Sequence, residues 1–204
     1  MSDGYRVPAG TARTEDVIQG SRFIATLGRA ATAEAARAFI DALRAEFPDA
    51  THNCWAYVAG PPGSTASIGM SDAGEPHGTA GRPMLDVLLH SGVGEVVAVV
   101  TRYFGGTKLG PGGLVRAYGG AVQHALAELA TTLHVERTRV TVTTGYAEVT
   151  QLRRLLADYD AADVSEAYSD VVRIVAAVPT ARLAAFERAV AELSAGRAEI
   201  EREA

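Results

Sequence analysis

Two short stretches hold most of the residues with chemical reach. The first, "MSDAGEPHGTAGRP" at residues 70–83, places Asp72, Glu75, His77, Thr79 and Arg82 within eleven residues. Carboxylates beside an imidazole are the parts of general acid–base catalysis or of a metal site. The set is thin for either. Zinc needs three or four His or Cys ligands at characteristic spacing, and His77 stands alone in this loop. His52 and Cys54 come from a different strand. No serine has a nucleophile-elbow context. The competing reading is a surface loop shaped by Gly and Pro, with Asp72, Glu75 and Arg82 bonding its backbone or pairing with basic neighbours. Neither a metal nor a cofactor is expected.

The second stretch, "TRYFGGTKLGPGGLVRAYGG" at residues 101–120, is seven-twentieths glycine and contains Lys108, the chain's only lysine. It follows the apolar run "EVVAVV" and precedes a helical pattern. The first amides of a helix lack intrahelical partners, and the helix dipole makes that end slightly positive. Glycines let a backbone approach an anion closely. Gly105, Gly106, Gly110, Gly112 and Gly113 could therefore cradle a phosphate. Arg102, Lys108 and Arg116 would add charge, and Tyr103 or Tyr118 could stack on a base or sugar. The stretch fails the phosphate-loop pattern, because Leu109 follows Lys108 where a hydroxyl is needed for magnesium. It also lacks the dinucleotide fingerprint's spacing and its acid about twenty residues on. Two readings stand side by side: an anion site, or glycines that allow tight helix–sheet packing with Pro111 starting the helix.

Charge favours the first. The net charge is −5, which argues against a broadly basic nucleic-acid binder. Yet no acid lies between Glu95 and Glu128, an interval holding Arg102, Lys108, Arg116 and His124. Elsewhere, alternation puts His52, Cys54, Ala56 and Val58 on one strand face and Asn53, Trp55 and Tyr57 on the other. Trp55 and Tyr57 could stack on bases, but on a central strand core packing is their commoner role. Cys54 has no basic neighbour in sequence to activate its thiol.

The elements that must position these residues follow from periodicity. Residues 1 to about 20 are polar and read as extended. "SRFIATLGRAA" is a strand. "TAEAARAFIDALRAEFP" is a helix capped by Thr32 and stopped at Pro48. "HNCWAYVAG" is a strand, with "TASIG" as its hairpin partner. "PMLDVLLHSG" is a short helix, "EVVAVVTRYF" a buried strand, and "LVRAYGGAVQHALAELA" a helix. From Glu136 onward the order is β-α-β-β-α-β: "RVTVTTGY", "AEVTQLRRLLADY", "ADVSEAYS", "VVRIVAAVP", "TARLAAFERAVAELSAG" with a threonine cap, and "RAEIERE". That order is ferredoxin-like. The boundary falls at "TTLHVER", giving domains at 1–134 and 135–204.

Composition agrees with a globular protein: 48% hydrophobic and 21% charged residues. No apolar run is long enough to span a bilayer. The N-terminus carries acids and no apolar core, so it does not read as a secretory signal. A single cysteine excludes an internal disulfide framework. The expected location is the cytoplasm.

Three blocks, "THNCWAY", "SDAGEPHGTAGRPML" and "VTRYFGGTKLGPGGLVRAYGGAV", resemble the signature blocks of the IMPACT/YigZ family in order and separation. The trailing β-α-β-β-α-β unit resembles the C-terminal domain of its bacterial members, itself similar to the last domain of elongation factor G. The resemblance implies an α+β protein of α/β two-layer sandwiches. The first would have the S5 domain 2-like fold of ribosomal protein S5, with a left-handed β-α-β crossover, and the second would be ferredoxin-like. It implies a link to translation. The eukaryotic relatives compete for an activator of a stress kinase, partly through an N-terminal domain lacking here, so that partner does not transfer. A proline dipeptidase label carried by some relatives finds no dinuclear metal ligand set here.

The expected function is a non-enzymatic protein that binds RNA or the ribosome through the glycine loop, with a translation-related protein as a further partner. The alternative is an enzyme or binding protein for a small phosphorylated or nucleotide ligand held between the 72–82 and 105–113 loops, which requires those loops to meet. A third reading is an interaction module using the second domain's open sheet face. "VVRIVAAV", apolar on both alternations, argues against a half-exposed strand there.

Overall fold

The computed structural model describes residues 4–203. Contacts divide them into two compact units: Tyr5–His134, and a second made of Gly4 with residues 135–203. Residues 1–3 of the stretch read as extended lie outside the described residues. The rest of it forms two strands, β1 (Gly4–Pro8) and β2 (Ala12–Ile18).

The first unit is built on a five-stranded sheet of order β2-β3-β6-β4-β5, with every neighbouring pair antiparallel. Here β3 is Ser21–Arg29, β4 is His52–Val58, β5 is Ile68–Ser71 and β6 is Val96–Tyr103. β6 sits in the middle and is buried on both faces, as its unbroken valine run requires. Val96, Ala98 and Val100 face α2 (Gly81–His90) and α3 (Gly110–Ala127), against Met84, Leu88, Tyr118 and Val122. Val97 and Val99 face α1 (Ala33–Glu46), against Ala36, Ile40 and Leu43. α1 therefore adds a third layer to the two expected. It begins as its sequence predicts: the Thr32 hydroxyl accepts from the Ala35 amide at 3.1 Å. β4 splits as alternation requires. Cys54, Ala56 and Val58 join the α2–α3 side, while Tyr57 and Trp55 pack on the α1 side, their rings stacked at 6.0 Å.

Two boundaries differ from the sequence reading. α3 starts at Gly110, not at Leu114, so half of the glycine loop is the first helical turn. "TTLHV" is not a plain linker but a strand, β7 (Thr131–Val135), paired with β1.

In the second unit, β8 (Arg137–Thr144), α4 (Val149–Asp158), β9 (Ala162–Tyr168), β10 (Val172–Pro179), α5 (Leu183–Ser194) and β11 (Glu199–Arg202) form a sheet of order β11-β8-β10-β9. This is the ferredoxin-like arrangement. Val140, Val142, Ile174 and Ala176 pack under Leu152, Leu156, Phe186 and Val190 of the helices. The alternate residues Val175 and Ala177 stand half-buried on the other face, so the strand is one-sided despite its apolar sequence. The threonine cap of α5 does not form. A 3-10 turn precedes the helix, and the Thr180 hydroxyl bonds that of Thr138 instead, at 3.0 Å.

Candidate functional site

The 70–83 loop is organised by Asp72. Its carboxylate accepts from the amides of Gly78 (2.8 Å), Ala80 (3.0 Å) and Gly81 (2.8 Å). The last two amides open α2, so Asp72 fills the anion position at that helix start. Burial pushes the Asp72 carboxyl up, but the three amides outweigh it and hold the group below its ordinary value. Around it the loop closes further. The Cys54 thiol donates to the Asp72 carbonyl at 2.9 Å, and the Thr79 hydroxyl donates to the Pro76 carbonyl at 2.6 Å. Arg82 turns away to Asp86, at 2.9 Å, one helical turn on.

This geometry presents Glu75 to the interior, with only 9% of its surface exposed. Its Oε1 accepts from Arg102 Nη1 at 2.5 Å and from the Tyr118 hydroxyl at 2.7 Å. His52 Nε2 lies 3.9 Å from the same oxygen, while His52 Nδ1 donates to the Ala73 carbonyl at 2.9 Å. Arg102 comes from the end of β6, and its guanidinium lies between the rings of Phe23 (5.3 Å) and Phe104 (5.6 Å). Arg102 Nη2 donates to Ser21 Oγ at 3.3 Å. Burial pushes the Cys54 thiol up to about 12, so it is an inert core group.

Several expected roles change. Arg102 is only 5% exposed and is held by Glu75, so it is not a free cation for a ligand. Tyr118 is fully buried and cannot stack on a base. The Tyr103 hydroxyl donates to Asp49 at 2.9 Å, with Arg22 over its ring. An interval free of acids in sequence is thus not free of them in space, because Glu75, Asp49 and Asp16 arrive from other elements. Asp72, Glu75 and His77 do not converge as a catalytic set: Asp72 is spent on amides, Glu75 faces inward, and the His77 ring is fully exposed, 3.8 Å from Asp72. Among the described residues, no group of three His, Cys, Asp or Glu side chains is placed to hold a metal.

The glycines divide by role. A Cβ on Gly105 would lie 1.9 Å from the Gly20 carbonyl carbon, so there packing demands glycine. Gly106 and Gly110 need it for their backbone, at φ of +89° and +72°. A Cβ on Gly112 would meet nothing nearer than Arg116 Nη1, at 3.7 Å.

The two loops do meet. Glu75 and Pro76 from one, and Phe104, Lys108, Leu109, Gly110 and Pro111 from the other, line a pocket of about 300 Å³ with Arg102 and Leu114. A second hollow of about 180 Å³ shares Leu109 and is bordered by Gln19, Gly113 and Arg116. Phe104 is 48% exposed and was not singled out by its sequence, where it reads as the last residue of a buried strand. The signal was its position: one residue beyond the end of β6, where alternation no longer dictates burial.

The site's surroundings define a class: an α+β protein whose S5 domain 2-like unit carries a cationic glycine loop at a helix start, followed by a ferredoxin-like unit. Family models agree in both parts, the Impact N-terminal domain over residues 19–126 and a domain of unknown function (DUF1949) over residues 142–197. The chain belongs to the IMPACT family. It is 43% identical over 194 residues to the IMPACT family member YigZ of Escherichia coli (strain K12), covering 95% of each chain. It is 38% identical over 203 residues to the IMPACT family member YvyE of Bacillus subtilis (strain 168), covering 98% of this chain and 91% of that one. A crystal structure described as that of a hypothetical protein is similar at a TM-score of 0.72 and 42% identity, covering 98% of this chain and 97% of that one. Among the described residues, no helix is long and apolar enough to cross a membrane.

Proposed function

We propose that the chain is a non-enzymatic, cytoplasmic protein linked to the regulation of translation, and that it binds RNA or the ribosome through backbone phosphate at the start of α3. One observation carries this reading: α3 opens without a side-chain cap and without an acid in its first turn, beside two exposed cations that hold no carboxylate. α1 has Thr32 and α2 has Asp72 at the corresponding place. In the first unit Arg13, Arg22, Arg29, Arg37, Arg44, Arg82 and Arg102 each hold a carboxylate, whereas Lys108 and Arg116, like Arg6, hold none among the described residues. Open amides and unpaired cations suit phosphate, which gives affinity and register rather than sequence reading. The family's link to translation makes RNA or the ribosome the natural bearer of that phosphate, and a translation-related protein a further partner.

The test is binding of ribosomes and structured RNA across salt, for the wild type and for Lys108→Glu combined with Arg116→Glu. The double variant is expected to lose most affinity, and its salt slope should fall by about 0.7 for each single-strand phosphate contact removed. Equal binding by the variant, or no wild-type binding at low salt, would sink the proposal. The alternative, a small phosphorylated ligand, is favoured by one fact: Glu75 and Lys108 line the same pocket. Calorimetric titration with nucleoside monophosphates separates the two, since this alternative requires tight binding without any RNA.

A further inference from the structure

The phosphate reading leaves the pocket beneath the loop unused, and its chemistry is not that of a phosphate site. Its floor is a carboxylate. Glu75 Oε1 accepts from both Arg102 and Tyr118, while no hydrogen bond to Oε2 is present among the described residues. A carboxylate oxygen at an open pocket with no protein donor keeps its acceptor capacity, and a ligand that brings an N–H there would use it. The walls are apolar: Pro76, Leu109 and Leu114. Phe104 forms one side as a half-exposed ring over the Arg102 guanidinium. Lys108 stands in the lining, on the residue before Leu109. At about 300 Å³ the space is at the small end of ligand pockets, fit for a single flat group.

We infer that this pocket takes one unstacked nucleobase of a bound single strand, its amino group donating to Glu75 Oε2, its face against Phe104, and its own phosphate at Lys108. This deepens the reading of the loop as an RNA phosphate site and rests on it. Cytosine, adenine and guanine carry an exocyclic amine; uracil does not, and its one Watson–Crick-edge donor, N3–H, sits between two carbonyl oxygens that the carboxylate would repel. The pairing of an acidic side chain with the cytosine amine is well matched. Aromatic stacking on a splayed base is how single strands are commonly held.

The experiment is fluorescence anisotropy with four ten-nucleotide RNAs of equal charge: oligo(C), oligo(A), oligo(U) and an abasic ribose-phosphate strand. For the wild type, oligo(C) and oligo(A) are expected to bind roughly ten-fold more tightly than oligo(U), with the abasic strand weakest. All four should share one salt slope, because the phosphate contacts are the same. Phe104→Ala, at an exposed position that should not disturb folding, is expected to bring oligo(C) close to the abasic strand. Glu75→Gln is a second variant, checked first for folding because Glu75 is buried, and it should reduce the preference over oligo(U). An abasic strand bound as tightly as oligo(C) overturns the base pocket while leaving the phosphate reading intact. Four strands that all fail to bind overturn both. Free CMP bound as tightly as the decamer overturns the strand as occupant.

Discussion

Arg102 and Glu75 bring opposite charges into the same buried space, and each is tolerable only because of the other. Removing one partner of such a pair typically costs about 3–5 kcal/mol, because the other is left charged and dry. Arg102→Met is therefore expected to lower stability by about that amount in urea denaturation, and Glu75→Leu added to it should restore a large part. A neighbouring position gives a contrast. Gly105→Ala forces a Cβ against the Gly20 backbone and should be severely destabilising. Gly112→Ala meets only the tip of the Arg116 side chain, at 3.7 Å, in a helical turn and should be neutral or stabilising by up to about 1 kcal/mol. If Gly112→Ala folds well but binds RNA poorly, backbone approach by a ligand is the remaining reason for that glycine. At this scale the sequence was half legible. It singled out Glu75, Arg102, Lys108 and Arg116, but it could not show that Arg102 and Glu75 neutralise each other. The two lie 27 positions apart, and only the fold brings them to 2.5 Å.

Helix starts and strand ends decide which charges stay available. Asp72→Ala strips α2 of its acceptor and should cost roughly 0.5–2 kcal/mol, the range for lost caps. At the N-terminal end of β6, Glu95 accepts from Tyr5 and Arg29, both at 2.8 Å, and lies 3.5 Å from His134. Burial pushes the Glu95 carboxyl up, but the hydrogen bonds from Tyr5 and Arg29 and the nearby charges hold it net below its ordinary value. A depressed carboxylate contributes stability that is fully present above its unfolded value, near 4.5, and is lost as pH falls through the lower folded value. The stability curve below about pH 4.5 should thus be flatter for Glu95→Gln than for the wild type, read by circular dichroism in urea. Elements of strong period were legible: the helices, the valine strand and the ferredoxin-like order all follow from spacing. β7 was not, because five residues with a histidine among them carry no clear alternation. The α5 cap was misread because Thr180 had a nearer hydroxyl, that of Thr138, on a strand 42 positions away.

Taken whole, the molecule is acidic, with a net charge of −5, so any RNA it holds is held locally against a repelling background. Binding should therefore fade sharply with added salt, and a few rim charges should dominate it. The two-unit order was legible because each half has its own period. The pocket between loops was not, since nothing in one dimension marks residues 75 and 104 as walls of one space. Each unit keeps separate buried clusters, so a fragment ending after Val135 is expected to melt as a single cooperative transition and to keep RNA affinity, measured by calorimetry and anisotropy. The fragment must reach that far because of the pairing of β1 with β7. That pairing also sets a schedule for the chain as it is made. β1 is the first strand of its unit to leave the ribosome, and its partner is the last of that unit, more than 120 residues later. At about 5–20 residues per second the N-terminal strand waits roughly 6–25 s for closure. During that wait the five-stranded sheet can assemble around β6, while β1 keeps an unpaired edge that is a target for wrong partners. A pause in synthesis just before Thr131 would lengthen this exposure, and one just after Val135 would not.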